Sequence, residues 1–173
     1  LRGEAEARMS HRYTKDVLPG GLRVVTVEAP HLHTALIAAY AVLPRPKYLE
    51  AALRGTDFIL LSRRPGPQYG WGQQYSHDMK LAWGRLLEPP ALCPLVTIDN
   101  IRTLMDVFEV TRDRRYLEPI PSSLDWLDRS KAADGSIGTF LEEGTNRPLG
   151  AYYEGDSGAY ESIRITYDLS KAM

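Results

Sequence analysis

A chain of 173 residues with 21 Lys and Arg against 22 Asp and Glu carries a formal charge of −1, which argues against a dedicated nucleic-acid binder, whose basic surplus shows in the total. Hydrophobic residues at 43%, charged residues at 25% and a mean hydropathy of −0.31 exclude a wholly disordered chain and suit about one domain with a sizeable core. The longest apolar stretch, Ala35 to Leu43, falls short of the roughly 20 residues that cross a bilayer. The opening Leu1-Arg2-Gly3-Glu4-Ala5-Glu6-Ala7-Arg8 lacks the apolar centre of a signal peptide, and the single Cys93 makes no internal disulfide.

Residues 1–32 begin with an extension and continue as Asp16-Val17-Leu18-Pro19-Gly20-Gly21-Leu22-Arg23-Val24-Val25-Thr26-Val27. β-Branched residues on both sides of a Pro-Gly-Gly turn predict a short β-hairpin. From His33 the periodicity becomes helical. Leu36, Ile37 and Tyr40 start one apolar stripe, and Ile98, Ile101, Leu104, Met105 and Phe108 line one face of a helix expected to begin near Thr97.

An internal repeat ties these stretches together. Lys47-Tyr48-Leu49-Glu50 followed by Asp57-Phe58 recurs as Arg115-Tyr116-Leu117-Glu118 followed by Asp125-Trp126, at a constant offset of 68 residues that also aligns Tyr40 with Phe108. A period of that length, holding two helices and a loop, predicts helix pairs that stack to bury their apolar faces. The second helix of each pair is expected to end near Arg63 and Lys131, ahead of the glycine-rich loops Pro65-Gly66-Pro67-Gln68-Tyr69-Gly70-Trp71 and Asp134-Gly135-Ser136-Ile137-Gly138. The fold class expected over residues 33–150 is therefore mainly α. Residues 151–173 form an irregular tail with one edge strand at Ile163-Arg164-Ile165-Thr166-Tyr167.

The densest polar and aromatic cluster is Trp71-Gly72-Gln73-Gln74-Tyr75-Ser76-His77-Asp78, in an inter-helix loop. Flat rings cover the apolar face of a sugar while amides and acids bond its hydroxyls. Trp71, Gln73, Gln74, Tyr75 and, farther on, Trp83 are thus candidate substrate-binding residues, although Trp71 and Tyr75 equally suit plugs that close the end of a helix pair. Arg85 offers a bidentate receptor for the carboxylate of a uronic acid, or an ordinary ion pair with Glu88. Asp78 and Asp99 are the candidate ligands for Ca²⁺, which takes several hard oxygens; Asp99 equally suits a helix start. His11, His31, His33 and His77 stand in no zinc motif, and no P-loop, Gly-x-Gly-x-x-Gly or Gly-x-Ser-x-Gly element is present.

Four motifs in order, Tyr48-Leu49-Glu50-Ala51-Ala52-Leu53-Arg54-Gly55, Gly70-Trp71-Gly72-Gln73-Gln74-Tyr75, Arg115-Tyr116-Leu117-Glu118-Pro119-Ile120 and Gly144-Thr145-Asn146-Arg147-Pro148-Leu149, resemble the helical-toroid (family 10) pectate lyases over residues 47–150. The resemblance implies an (α/α) toroid of stacked helix pairs, here incomplete. It also implies β-elimination of polygalacturonate, with Ca²⁺ bridging the substrate carboxylate to acidic side chains. An arginine takes the C5 proton in that family, and Arg85 is the candidate for that role. Thr97-Ile98-Asp99-Asn100 is similar to the family's Thr-Phe-Asn-Asp helix start, which puts Asp99 first among the calcium candidates. The chain departs from the pattern at His31-Leu32-His33-Thr34, where an acidic helix start is expected, and at Thr139, where the family carries Arg. The implied partner is an acidic polysaccharide and the implied location extracellular or periplasmic. Residues 11–30 are similar instead to the first strands of insulinase-type zinc peptidases, without their inverted His-x-x-Glu-His.

Three functions are compatible with these residues. One is calcium-assisted, pectate-lyase-like elimination. Another is a non-catalytic carbohydrate-binding or structural helical-repeat module. The third is a composite or designed chain without activity, which the mixed N-terminus favours. Neither nucleic acid nor membrane is an expected partner, and homo-oligomerisation is one way to cover apolar faces left open by absent helix pairs.

Overall fold

The valine-rich segment at the N-terminus forms a hairpin in which β1 (Tyr13–Val17) pairs antiparallel with β2 (Arg23–Val27), Tyr13 opposite Val27 and Lys15 opposite Val25. It belongs to the first of two units, Leu1–Leu32 and His33–Met173. The computed structural model describes residues 13–17, 23–27, 37, 40, 43–85, 87–154 and 163–172. The Pro19-Gly20-Gly21 turn, His11, His31, His33 and Leu36 lie outside the described residues.

In the second unit, α1 (Pro46–Ser62) begins with Pro46 in its first turn, where a missing N–H leaves no bond unmade. Good helix formers carry it forward, and Ala52, Thr56, Ile59 and Ser62 recur at helical spacing on the buried face. It stops where Arg63 turns extended ahead of Pro65. The second helix, α2 (Pro94–Thr111), starts earlier than expected because Pro94 is again the nucleating first residue. It buries Thr97, Ile101, Leu104 and Val107. Met105, expected on that face, is 49% exposed, since it sits about 100° round the helix from Leu104. A 3-10 turn, Arg114–Tyr116, places Tyr116 in the core and leads into α3 (Ile120–Arg129), which buries Ser123, Trp126 and Leu127.

Past α3 the chain departs from the expected stack of helix pairs. Antiparallel strands β3 (Phe140–Leu141), β4 (Pro148–Tyr153) and β5 (Ile163–Thr166) form one sheet in the order β3-β4-β5, with Leu141 opposite Pro148 and Gly150 opposite Thr166. Among the described residues the second unit is a small mixed fold of three helices and a three-stranded sheet. The expectation of a mainly α, incomplete (α/α) toroid is thereby corrected. Its physical reason lies in residues 142–153: Gly144 (φ 89°) and Asn146 (φ 63°) take left-handed backbone that closes a tight turn, and Pro148 with the tyrosines after it favours extended chain over helix. The tail expected to be irregular supplies the end of β4 and the edge strand β5, in which Ile163 and Thr166 are buried.

One core joins helices and sheet. Trp71, Leu92, Leu104, Tyr116, Trp126 and Leu141 are at most 1% exposed and belong to a single cluster. Leu92 and Leu141 exchange both backbone hydrogen bonds, at 2.9 and 2.8 Å, so the segment entering α2 is fastened to β3.

Candidate functional site

All but one of the residues singled out for chemistry lie in the connection between α1 and α2. Its first half is built into the core. The Trp71 ring is 0% exposed; its Nε1–H donates to Ile59 O at 2.7 Å, its backbone N–H to Thr97 Oγ1 at 3.1 Å, and its carbonyl accepts from Cys93 N at 2.8 Å. It is a plug and offers no face to a sugar. The neighbouring glycines are required by close approach: a Cβ at Gly70 would collide with the Trp126 ring, and one at Gly72 would stand 3.0 Å from Ala91 O. Tyr75 is partly buried, edge-on to Phe58 with ring centroids 6.0 Å apart, and its Oη accepts from Gly72 N at 2.7 Å.

Burial is the main cause that pushes the Tyr75 hydroxyl up to about 12, against the lowering effect of the Gly72 N–H and of Arg64. An unfolded tyrosine ionises near 10. Between about 10 and about 12 the folded chain therefore keeps a proton that the unfolded chain releases, so stability falls as pH rises through that window and is unaffected by this group below it. Urea unfolding over a pH series from about 9 to about 11 is expected to show a shallower alkaline decline in Tyr75→Phe than in the parent chain; equal slopes would refute the assignment.

The second half of the connection reaches solvent. Ala82 N donates to Gln74 O at 3.0 Å and Ser76 N to Lys80 O at 2.9 Å, closing a narrow loop whose tip carries His77 and Asp78, paired at 2.6 Å and both exposed. Arg64 anchors the loop from below, donating to Met79 O at 3.1 Å and to Glu143 Oε1 at 2.6 Å. Gln73 and Gln74 are partly buried beside it. The chain then passes Trp83, 36% exposed, and turns at Arg85, whose side chain is 79% exposed and whose carbonyl accepts from Glu88 N at 2.7 Å. Glu88 holds Arg85 in place, taking its backbone N–H at 2.8 Å and its Nη2 at 3.0 Å.

Asp99 stands apart from this loop. With α2 starting at Pro94, it lies inside the helix and not at its start, and it accepts from Arg102 at 3.3 Å. Ca²⁺ takes roughly six to eight oxygen ligands. Among the described residues neither Asp78 nor Asp99 belongs to a group of three acidic, histidine or cysteine side chains; Asp78 is paired with the His77 imidazole and Asp99 with Arg102.

Two polar groups that sequence patterning overlooks hold the site's foundation. Asn146 Oδ1 accepts from Trp126 Nε1 at 2.9 Å and from Gln68 Nε2 at 3.2 Å, while its Nδ2 donates to Ser130 Oγ at 2.8 Å. Arg63 lies over the Tyr69 ring at 4.7 Å and donates to Ser123 Oγ at 3.1 Å and to Ser122 Oγ, clamping the end of α1 to the first turn of α3; its partial burial lowers its proton affinity. The available signal for Asn146 is its place after Gly144 and ahead of Pro148, where Asn tolerates left-handed backbone.

No family model matches the chain, and no curated protein and no solved structure matches it either.

Proposed function

We propose that the chain binds an acidic polysaccharide of the polygalacturonate kind through Trp83 and Arg85, and that it does so without cleaving it. The observation that carries this conclusion is the joint exposure of an indole and a guanidinium two residues apart in the chain. The ring supplies a flat apolar face and the guanidinium, two residues on, a fork for a carboxylate. A uronic acid presents both features. Glu88 engages one nitrogen of the fork and fixes its base, which limits the entropy lost on binding.

Elimination places a demand that these residues do not meet. A guanidinium has five donors and no acceptor, and Arg85 is already donating to Glu88, which suits it to receive a carboxylate rather than to take the C5 proton. The carboxylates offered for calcium, Asp78 and Asp99, belong to no group of three possible ligands among the described residues. The motifs of residues 47–150 support the substrate class; the geometry favours recognition over catalysis.

Calorimetric titration with oligogalacturonate, run beside the ultraviolet absorbance of the unsaturated elimination product, tests both parts. Binding with a flat absorbance trace is expected, no binding of the neutral galactose oligomer, and a loss of about tenfold in affinity for Trp83→Ala and for Arg85→Ala. Product that accumulates with calcium and disappears on chelation would replace this conclusion with the lyase; absence of binding to oligogalacturonate would overturn it.

A further inference from the structure

One of the contacts between the two sequence repeats is an ion pair. Arg115, in the turn that opens the second repeat, meets Asp57 of α1 at 3.1 Å. Arg115 lies over the ring of its neighbour Tyr116 at 4.6 Å. Its counterpart at the 68-residue offset, Lys47, lies over the ring of Tyr48 at 5.4 Å. Both repeats therefore open on the same device, a cation folded over the tyrosine next to it in the chain.

The acidic half of the contact is repeated too, but its surroundings differ. Asp57 corresponds to Asp125 of α3, whose side chain is 69% exposed and paired with Arg129 at 3.2 Å within its own helix. Thr56 is 0% exposed, whereas its counterpart Leu124 is 51% exposed. The position before the acid is buried on α1 and open on α3. The cation of the matching kind, Lys47, is exposed and pairs with no carboxylate among the described residues.

We propose that the Leu124–Asp125 face of α3 receives the Lys47–Tyr48 start of α1 from a second copy of the chain, so that Lys47 on Asp125 repeats between copies the Arg115–Asp57 contact made within one. Charge complementarity selects this occupant, and so does continuity with the contact that already joins the repeats. The two surfaces are different patches of the same molecule, so the association is head-to-tail and extends past a dimer unless the rotation closes a ring. Leu124 supplies apolar area, while the ion pair sets the register and weakens with salt.

Sedimentation velocity over a concentration series tests this on the full chain, with thermal melting as a check on folding. Both substitutions are mild for the helices: Lys47→Glu puts an acid in the first turn of α1, where it is favourable, and Asp125→Lys removes one exposed pair. The parent chain is expected to associate with concentration, more weakly in high salt. Lys47→Glu alone and Asp125→Lys alone each set like charges against each other and are expected to lose roughly tenfold in association. Mixing the two variants restores opposite charges at the junctions between unlike copies and is expected to restore association. A third variant, Leu124→Asp, is expected to abolish it. A parent chain that stays monomeric throughout would overturn the proposal, as would association unaffected by either reversal or a mixture no better than its components.

Discussion

Trp71→Ala is expected to lower the free energy of unfolding by about 3–5 kcal/mol, measured as the shift of the urea midpoint at unchanged slope. The ring is wholly buried, so truncation opens a cavity in the cluster that joins the helices to β3. It also strips the indole donor from Ile59 O, in the last turn of α1. Trp71→Phe separates the two contributions. It keeps most of the volume and is expected to cost about 1–2 kcal/mol for the lost hydrogen bond, with Ser62 Oγ remaining on the same carbonyl at 3.2 Å. Against a total of about 5–15 kcal/mol for a typical domain, the alanine variant removes a large fraction. Trp83→Ala, on the exposed segment, is expected to change stability by no more than about 0.5 kcal/mol. A Trp71→Ala variant as stable as Trp83→Ala would show that the site's foundation has been misassigned.

The second large effect is expected at Asn146. Its carbonyl oxygen is the acceptor for both the Trp126 indole and the Gln68 amide, side chains whose residues are 1% and 7% exposed. Asn146→Ala leaves these donors without that acceptor, at about 1–3 kcal/mol for each unsatisfied group, and puts a Cβ-bearing residue with no local hydrogen bond at φ 63°, which costs about a further 1 kcal/mol. Asn146→Asp keeps an acceptor and is expected to be the mildest change. Asn146→Gly accepts the backbone but not the network and is expected to fall between Asp and Ala. That order, read from urea unfolding, distinguishes the network from the turn. A glycine variant as stable as the parent would mean that backbone conformation alone matters there.

Local features are legible in the sequence to the extent that one residue type forces one conformation. The Pro-Gly-Gly punctuation between valine-rich runs marks the hairpin of β1 and β2, and Arg63 and Lys131 bracket the ends of α1 and α3 to within two residues. Helix starts are less clear. Asp99 has the character of a first-turn acid, whereas Pro94 begins α2 five residues earlier, because a proline at the first position needs no side-chain cap. The class of fold is illegible for a related reason. The 68-residue repeat describes α1, the 3-10 turn and α3, but it carries no information on the residues beyond α3, where left-handed Gly144 and Asn146 turn the chain back into a sheet.

Within the candidate site, residue type does not separate the three tryptophans. Trp71 and Trp126 are buried and hydrogen-bonded through their indole nitrogens, while Trp83 alone reaches the surface. That division is decided by long-range packing: Gly70 is needed because it lies against Trp126, and Trp71 is buried because α1 ends beside it. The Arg85–Glu88 pair is legible because its partners are three residues apart. The Asn146 network is not, since Gln68 is 78 residues away along the chain.

The measurement that bears most directly on the proposed function is the intrinsic tryptophan fluorescence of the intact chain during titration with oligogalacturonate. Only Trp83 of the three tryptophans is exposed, so a ligand that settles on it changes the signal of one identifiable ring. The expected result is a saturable change with the acidic oligomer, none with its neutral counterpart, and none with either in Trp83→Phe. A change of equal size in Trp83→Phe, or no change in the parent chain at saturating oligogalacturonate, would contradict the account.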